Sequence, residues 1–178
     1  MHSTASSGND SPSRDDSQRR ATAYHEASHA VLAVLFGRAI QKVSILPSKT
    51  AIGASIAGKC QLQAKHSKGS DDWIEEEAMI LLAGMIGESK ITGKYCMASA
   101  NQDLKGLRRL ASMRADGEKA IAKLERRWLD KAEHYLSDPT LWLAVELVAK
   151  ELEAKDTVRA RTIAHYMEQA KHIIAKRS

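Results

Sequence analysis

Ala21–Val31 reads ATAYHEASHAV and holds His25-Glu26-Ala27-Ser28-His29, two histidines four residues apart with a glutamate directly after the first. In a helix of about 3.6 residues per turn, positions four apart stack on one face, so both imidazoles can reach one metal ion from the same side. Glu26 is rotated off that line but stays beside the ion's open position, where a carboxylate can take a proton from bound water. Metal ligands and general base therefore arrive on one short segment. The segment extends as a helix from about Ser17. Tyr24, Val31 and Leu35 form one flank, Leu32 and Phe36 continue the histidine stripe, and Gly37 offers a stop. Such a helix is apolar and largely buried, and Tyr24, off the ligand face, is a packing residue.

Outward from that helix, QKVSIL (Gln41–Leu46) alternates Val43 and Ile45 and is closed by Pro47, which predicts a strand. GASIAGKCQL (Gly53–Leu62) has small residues around Ile56 and suits a second, weaker strand or a loop. Ser70-Asp71-Asp72 places acids at a helix start, followed by a core stripe of Ile74, Ala78, Leu81, Leu82, Met85 and Ile86. The polar stretch Gly87–Met97, broken by Gly93, is expected to leave that helix before Ser99 or Asn101 caps the next one, through Leu104, Leu107 and Leu110. After Gly117 an amphipathic helix carries Ile121, Leu124, Trp128 and Leu136. Pro139 opens another through Leu152, and Asp156 or Thr157 is expected to cap the last. The fold class is mainly α: a helical-bundle domain over residues 17–178, with a small strand or hairpin after the first helix and a flexible tail over residues 1–16.

With 178 residues, 43% hydrophobic and 28% charged, the chain suits one soluble domain with a real core. The net charge of +5 is spread in small clusters such as Arg19-Arg20 and Arg126-Arg127 and is not interleaved with aromatics, which argues against nucleic acid as a partner. Cys60 and Cys96 are too far apart for a local cysteine site, and a reducing compartment fits them. No run approaches the about 18 apolar residues of a membrane span, and no signal-peptide core is present. These features make the expected location cytoplasmic.

A catalytic zinc needs a third protein ligand beside His25 and His29. By chemistry the candidates are His66, Cys96, Asp103, His134, His165 and several glutamates, and spacing does not choose among them. His134, His165 and His172 read as exposed helix positions, and Cys96 as an ordinary buried thiol.

Four segments, AYHEASHAV, KVSILP, LLAGMIGESKITG and ASANQDLKGLRRLA, resemble the peptidase domain of the FtsH-type ATP-dependent zinc metalloproteases over most of Thr22–Met113. LVAKELEAKDTVRARTIAHYM is similar, more loosely, to that family's closing helices. The resemblance implies Zn2+ held by His25, His29 and Asp103, the last matched through Ser99-Ala100-Asn101-Gln102-Asp103-Leu104, with Glu26 as the catalytic base. It implies a metalloendopeptidase with a polypeptide substrate. Ser28 stands where the family usually has glycine. No G-x-x-x-x-G-K-[ST] phosphate loop occurs, so the expected activity is ATP-independent and confined to unfolded or flexible polypeptides, with a separate ATPase or adaptor as the partner that would deliver others. A peptidase specific for one partner protein and a non-catalytic zinc scaffold are the alternatives. Substrate is expected to add as an extended strand to Val43–Leu46 or Gly53–Ala57.

Overall fold

The computed structural model describes residues 14–49, 55–56, 58–62 and 72–177. In chain order the elements are α1 (Arg14–Leu35), β1 (Ile40–Ser44), β2 (Ser48–Lys49), β3 (Ser55–Ile56), β4 (Lys59–Leu62), α2 (Trp73–Thr92), α3 (Asn101–Ser112), α4 (Glu118–Ser137), α5 (Pro139–Lys155), β5 (Thr157–Arg159) and α6 (Ala160–Ala175). The mainly α class read from the sequence is the one observed. Helix α1 starts at Arg14, ahead of Ser17, because Asp15 and Asp16 in its first turn favour a helix N-terminus. The rest of the expected tail, with His66, lies outside the described residues.

Helix α1 is the centre of the domain. Nearly every residue from Ala21 to Ala33 is buried, polar ones included, as expected of a helix surrounded by others rather than lying on a surface. It packs along α2 and α5, and α2 packs in turn on α4 and α3. Tyr24 meets Trp142 of α5 with ring centroids 5.8 Å apart, which bears out its packing role. Trp128 of α4 is fully buried and donates its indole N–H to Glu75 of α2 at 3.1 Å. Asp72 caps α2 by accepting from the Glu75 amide, and Asp138 caps α5 through Thr140 and Leu141. No helix of the described residues is long and apolar enough to cross a membrane.

Among the described residues two small antiparallel sheets accompany the helices, one ordered β4-β1-β5 and one pairing β2 with β3. Strands β1, β3 and β4 fall in the two stretches read as strands. Gly53, Ala54 and Ala57 lie outside the described residues. Strand β5 was not expected. Asp156 is not the cap of the last helix but the left-handed C-cap of α5 (φ 60°), and Thr157–Arg159 then pairs with β1. Three residues show no periodicity of their own, and only the neighbouring strand makes them extended.

A second correction concerns Gly87. Helix α2 does not end there but runs to Thr92, closed by Gly93 in the left-handed conformation (φ 76°) with its N–H on Ser89. Gly87 serves close approach to α1. A Cβ at that position would lie 1.9 Å from Ser28 Oγ and 2.9 Å from the Tyr24 carbonyl, and the Ser28 hydroxyl is held on that same carbonyl at 2.8 Å. The serine inside the motif is thus accommodated by the missing side chain on α2. Gly87→Ala is expected to destabilise the domain by about 1–3 kcal/mol through overpacking, and Ser28→Gly in the same chain to restore part of that. Thermal unfolding of the single and double variants measures both; a fully additive pair would show that the two positions do not share space.

Candidate metal centre

His25 and His29 project from α1 towards α2 and α3, as their spacing requires. They are buried, at 7% and 6% exposure, with rings 4.7 Å apart and nearly perpendicular. The Asp103 Oδ2 atom, from the first turn of α3, lies 3.3 Å from the Nε2 atoms of both rings. One ligand atom from each of the three residues falls within 4.8 Å of the others, and among the described residues no other group of His, Cys, Asp or Glu side chains converges in this way. The three residues expected as metal ligands are therefore brought together. His134, His165 and His172 are exposed on α4 and α6, as anticipated.

The inner nitrogens of both rings are fixed as well. His29 Nδ1 faces the Ile80 carbonyl at 2.7 Å, and His25 Nδ1 faces Glu88 Oε2 at 3.2 Å. A carbonyl only accepts, so His29 keeps a proton on Nδ1, and when the ring is neutral Nε2 is the atom left to bind a metal. Glu88 does the same for His25 when its carboxylate is ionised. The sequence reading missed Glu88, which is buried although charged. The available signal was its position, eight residues beyond Ile80 and therefore on the same stripe of α2.

The electrostatics suit a cation. For Glu26, burial pushes the carboxyl up, opposed by the two histidines. Burial alone would lower His25, but hydrogen bonds to Asp103 and Glu88 and the nearby carboxylates outweigh it and raise the imidazole to about 9. His29 is raised likewise, burial being outweighed by Asp103. Burial would raise Asp103, yet the two histidines hold it well below the usual carboxylate range. Three carboxylates thus surround two imidazoles in a largely dry site, an excess of negative charge that protons offset here and a divalent ion can offset instead.

Glu26 itself is held by the Cys60 amide of β4, while its Oε2 is buried with no hydrogen-bond partner among the described residues. Gly58 leaves the room, since a Cβ there would lie 2.6 Å from Glu26 Oε1. Gly84 does so for the ligands: a Cβ would sit 2.4 Å from His29 Nε2 and 2.6 Å from His25 Nε2. The donor set, the lone carboxylate oxygen and the glycine cradle all fit a bound metal. Burial of Cys96 was expected but is not observed; it is partly exposed, on the connection between α2 and α3.

Fold and site together define a helical domain with a candidate metal site, in which one helix carries the H-E-x-x-H pair and a second supplies a carboxylate. The model of Peptidase family M41 matches residues 13–116, more than half of the chain, and the chain belongs to that family as an FtsH-type peptidase domain. An ATP-dependent zinc metalloprotease FtsH of Cupriavidus metallidurans is 35% identical over 88 residues, 48% of this chain and 13% of that protein. FtsH 4 of Sorangium cellulosum, with the same description, is 32% identical over 101 residues, 54% of this chain and 15% of its own length. FtsH of Acidobacterium capsulatum is 35% identical over 75 residues, 41% of this chain and 11% of that protein. The chain therefore spans a small part of these relatives.

Proposed function

We propose that the domain is a zinc-dependent metalloendopeptidase in which His25, His29 and Asp103 hold the ion and Glu26 is the catalytic base. The observation that carries this reading is the buried Glu26 carboxylate, which interacts electrostatically with His25, His29 and Asp103 and has one oxygen, Oε2, without a partner among the described residues, next in sequence to one of three converging ligands. A metal scaffold has no use for a buried carboxylate oxygen without a donor, which costs desolvation free energy and returns no bond. The names of the relatives, zinc metalloproteases, support zinc as the metal. Zinc, when bound, contributes Lewis acidity, polarising a carbonyl and making water a better acid.

The chain's own residues do the rest. Glu26 accepts a proton from water and returns it to the leaving amine, the reciprocal use of one carboxylate. Ile80 and Glu88 keep each imidazole in the tautomer that leaves Nε2 available. Extended substrate adds to the outer edge of β4, where the Cys60 amide already faces Glu26. Val43–Leu46 is unsuitable for that task, because β1 is paired on both sides by β4 and β5 and the Ile45 amide is bonded to Asp156. The substrates proposed are unfolded or flexible polypeptides, with a separate ATPase or adaptor as the partner that would widen the range.

Zinc content by elemental analysis, read together with hydrolysis of an unfolded protein, tests the proposal. The wild type is expected to bind stoichiometric zinc and to lose hydrolysis under a chelator, and Asp103→Ala to lose tight binding. Zinc retained tightly after Asp103→Ala would mean a different third ligand.

A further inference from the structure

Ser99 stands at the end of the α2–α3 connection, one residue before Ala100, the N-cap of α3. A serine at the mouth of a helix commonly spends its hydroxyl on the free amides of the first turn. Here the N-cap of α3 is Ala100, and among the described residues no side chain caps the helix. The Ser99 hydroxyl lies instead 2.6 Å from Glu88 Oε2 on α2, with the Cys96 carbonyl at 2.9 Å as a second acceptor. An ionised carboxylate at the shorter distance is the stronger of the two.

The same Glu88 oxygen faces His25 Nδ1 at 3.2 Å. Four residues after Ser99, Asp103 in the first turn of α3 places Oδ2 3.3 Å from the Nε2 atoms of His25 and His29. Ser99, Glu88, His25 and Asp103 thus form a circuit closed through α3. One carboxylate oxygen orients a ligand on α1 and anchors the backbone that delivers the ligand on α3. A local preference given up beside a site, here the capping of α3, points to a demand of the site itself.

We propose that Ser99 is a positioning residue of the metal centre, its hydroxyl tying the uncapped start of α3 to Glu88 so that Asp103 and His25 present their ligand atoms together. The ligand served is a divalent metal ion, so the proposal rests on the reading of the centre given above.

The test uses the full chain, with Zn2+ affinity measured by competition against a chromophoric chelator and ligand geometry by the absorption spectrum of the Co2+-loaded protein. Ser99→Ala is expected to weaken zinc binding about 10-fold or more, within the range seen when a hydrogen-bond partner of a metal ligand is lost. Its Co2+ spectrum should shift, while the metal-free melting temperature stays near that of the wild type because no helix cap is removed. Ser99→Thr, which keeps the hydroxyl, should restore both affinity and spectrum. Glu88→Gln combined with Ser99→Ala should cost less than the product of the two single effects, since both cut one circuit.

Wild-type zinc affinity in Ser99→Ala overturns the proposal, as does a Ser99→Thr variant that binds as weakly as Ser99→Ala. If Ser99→Ala does not fold, Ser99→Gly removes the same hydroxyl and is judged by the same measurements. A wild type that binds no zinc would fail the metal-centre reading itself, an outcome distinct from one in which wild type and Ser99→Ala bind equally well.

Discussion

Glu26→Gln should hydrolyse an unfolded protein about 10^2- to 10^4-fold more slowly than the wild type, the span attributed to a positioned general base, while keeping its zinc. The amide is nearly isosteric and cannot accept the proton, and none of the three ligand atoms belongs to residue 26. A loss of fold would give the same slow hydrolysis, so stability must be read alongside it. The buried carboxylate has one oxygen with no donor among the described residues and burial that opposes its charge. Replacing it with a neutral group removes that cost, and the metal-free variant should melt no lower than the wild type. Turnover, zinc content and melting temperature measured together separate the cases. Equal turnover in both proteins, each with zinc bound, would exclude Glu26 as the base and favour a scaffold.

Much of this site can be read in the sequence because the chemistry sits on regular spacing. His25 and His29 share a helix face by arithmetic, and the core stripe of α2 follows the same period. Asp103 is different. It lies 74 positions after His29, and only the resemblance of SANQDL to a known segment selected it among chemically equal candidates. What escaped the reading lies in contacts between elements. Gly87 looks like a helix end when α2 is read alone and becomes an interior position once Ser28 of α1 is set against it. Thr157–Arg159 extends only because β1 offers a free edge. Glu88, a lone acid near the end of a helix, acquires a role when His25 is placed opposite.

These contacts make α2 the template on which the motif helix is read. Ile80, Gly84 and Glu88 recur every four residues and so form one stripe. The Ile80 carbonyl holds His29, Glu88 holds His25, and Gly84 lies between them beneath both Nε2 atoms. The pairing of 80 with 29 and 88 with 25 shows that the two helices run antiparallel here.

Gly84→Ala is accordingly expected to destroy the centre. Taken as a helix position alone, it would be favourable, since alanine exceeds glycine by about 1 kcal/mol in a helix interior. The added methyl would nevertheless sit 2.4 Å and 2.6 Å from the two Nε2 atoms, well inside contact distance. The rings have little room to retreat, because each is held on its far side at Nδ1 and both are buried. Either the rings turn and lose Ile80 and Glu88, or α1 and α2 move apart and Asp103 no longer meets both histidines. By each route zinc affinity should fall at least about 100-fold, the upper end of the cost of losing one supporting hydrogen bond, because two ligands are displaced at once. Hydrolysis should fall with it, while helical content by circular dichroism stays near that of the wild type. Chelator competition decides the matter: zinc held by Gly84→Ala as tightly as by the wild type would place the ion away from the Nε2 atoms and undo the ligand assignment.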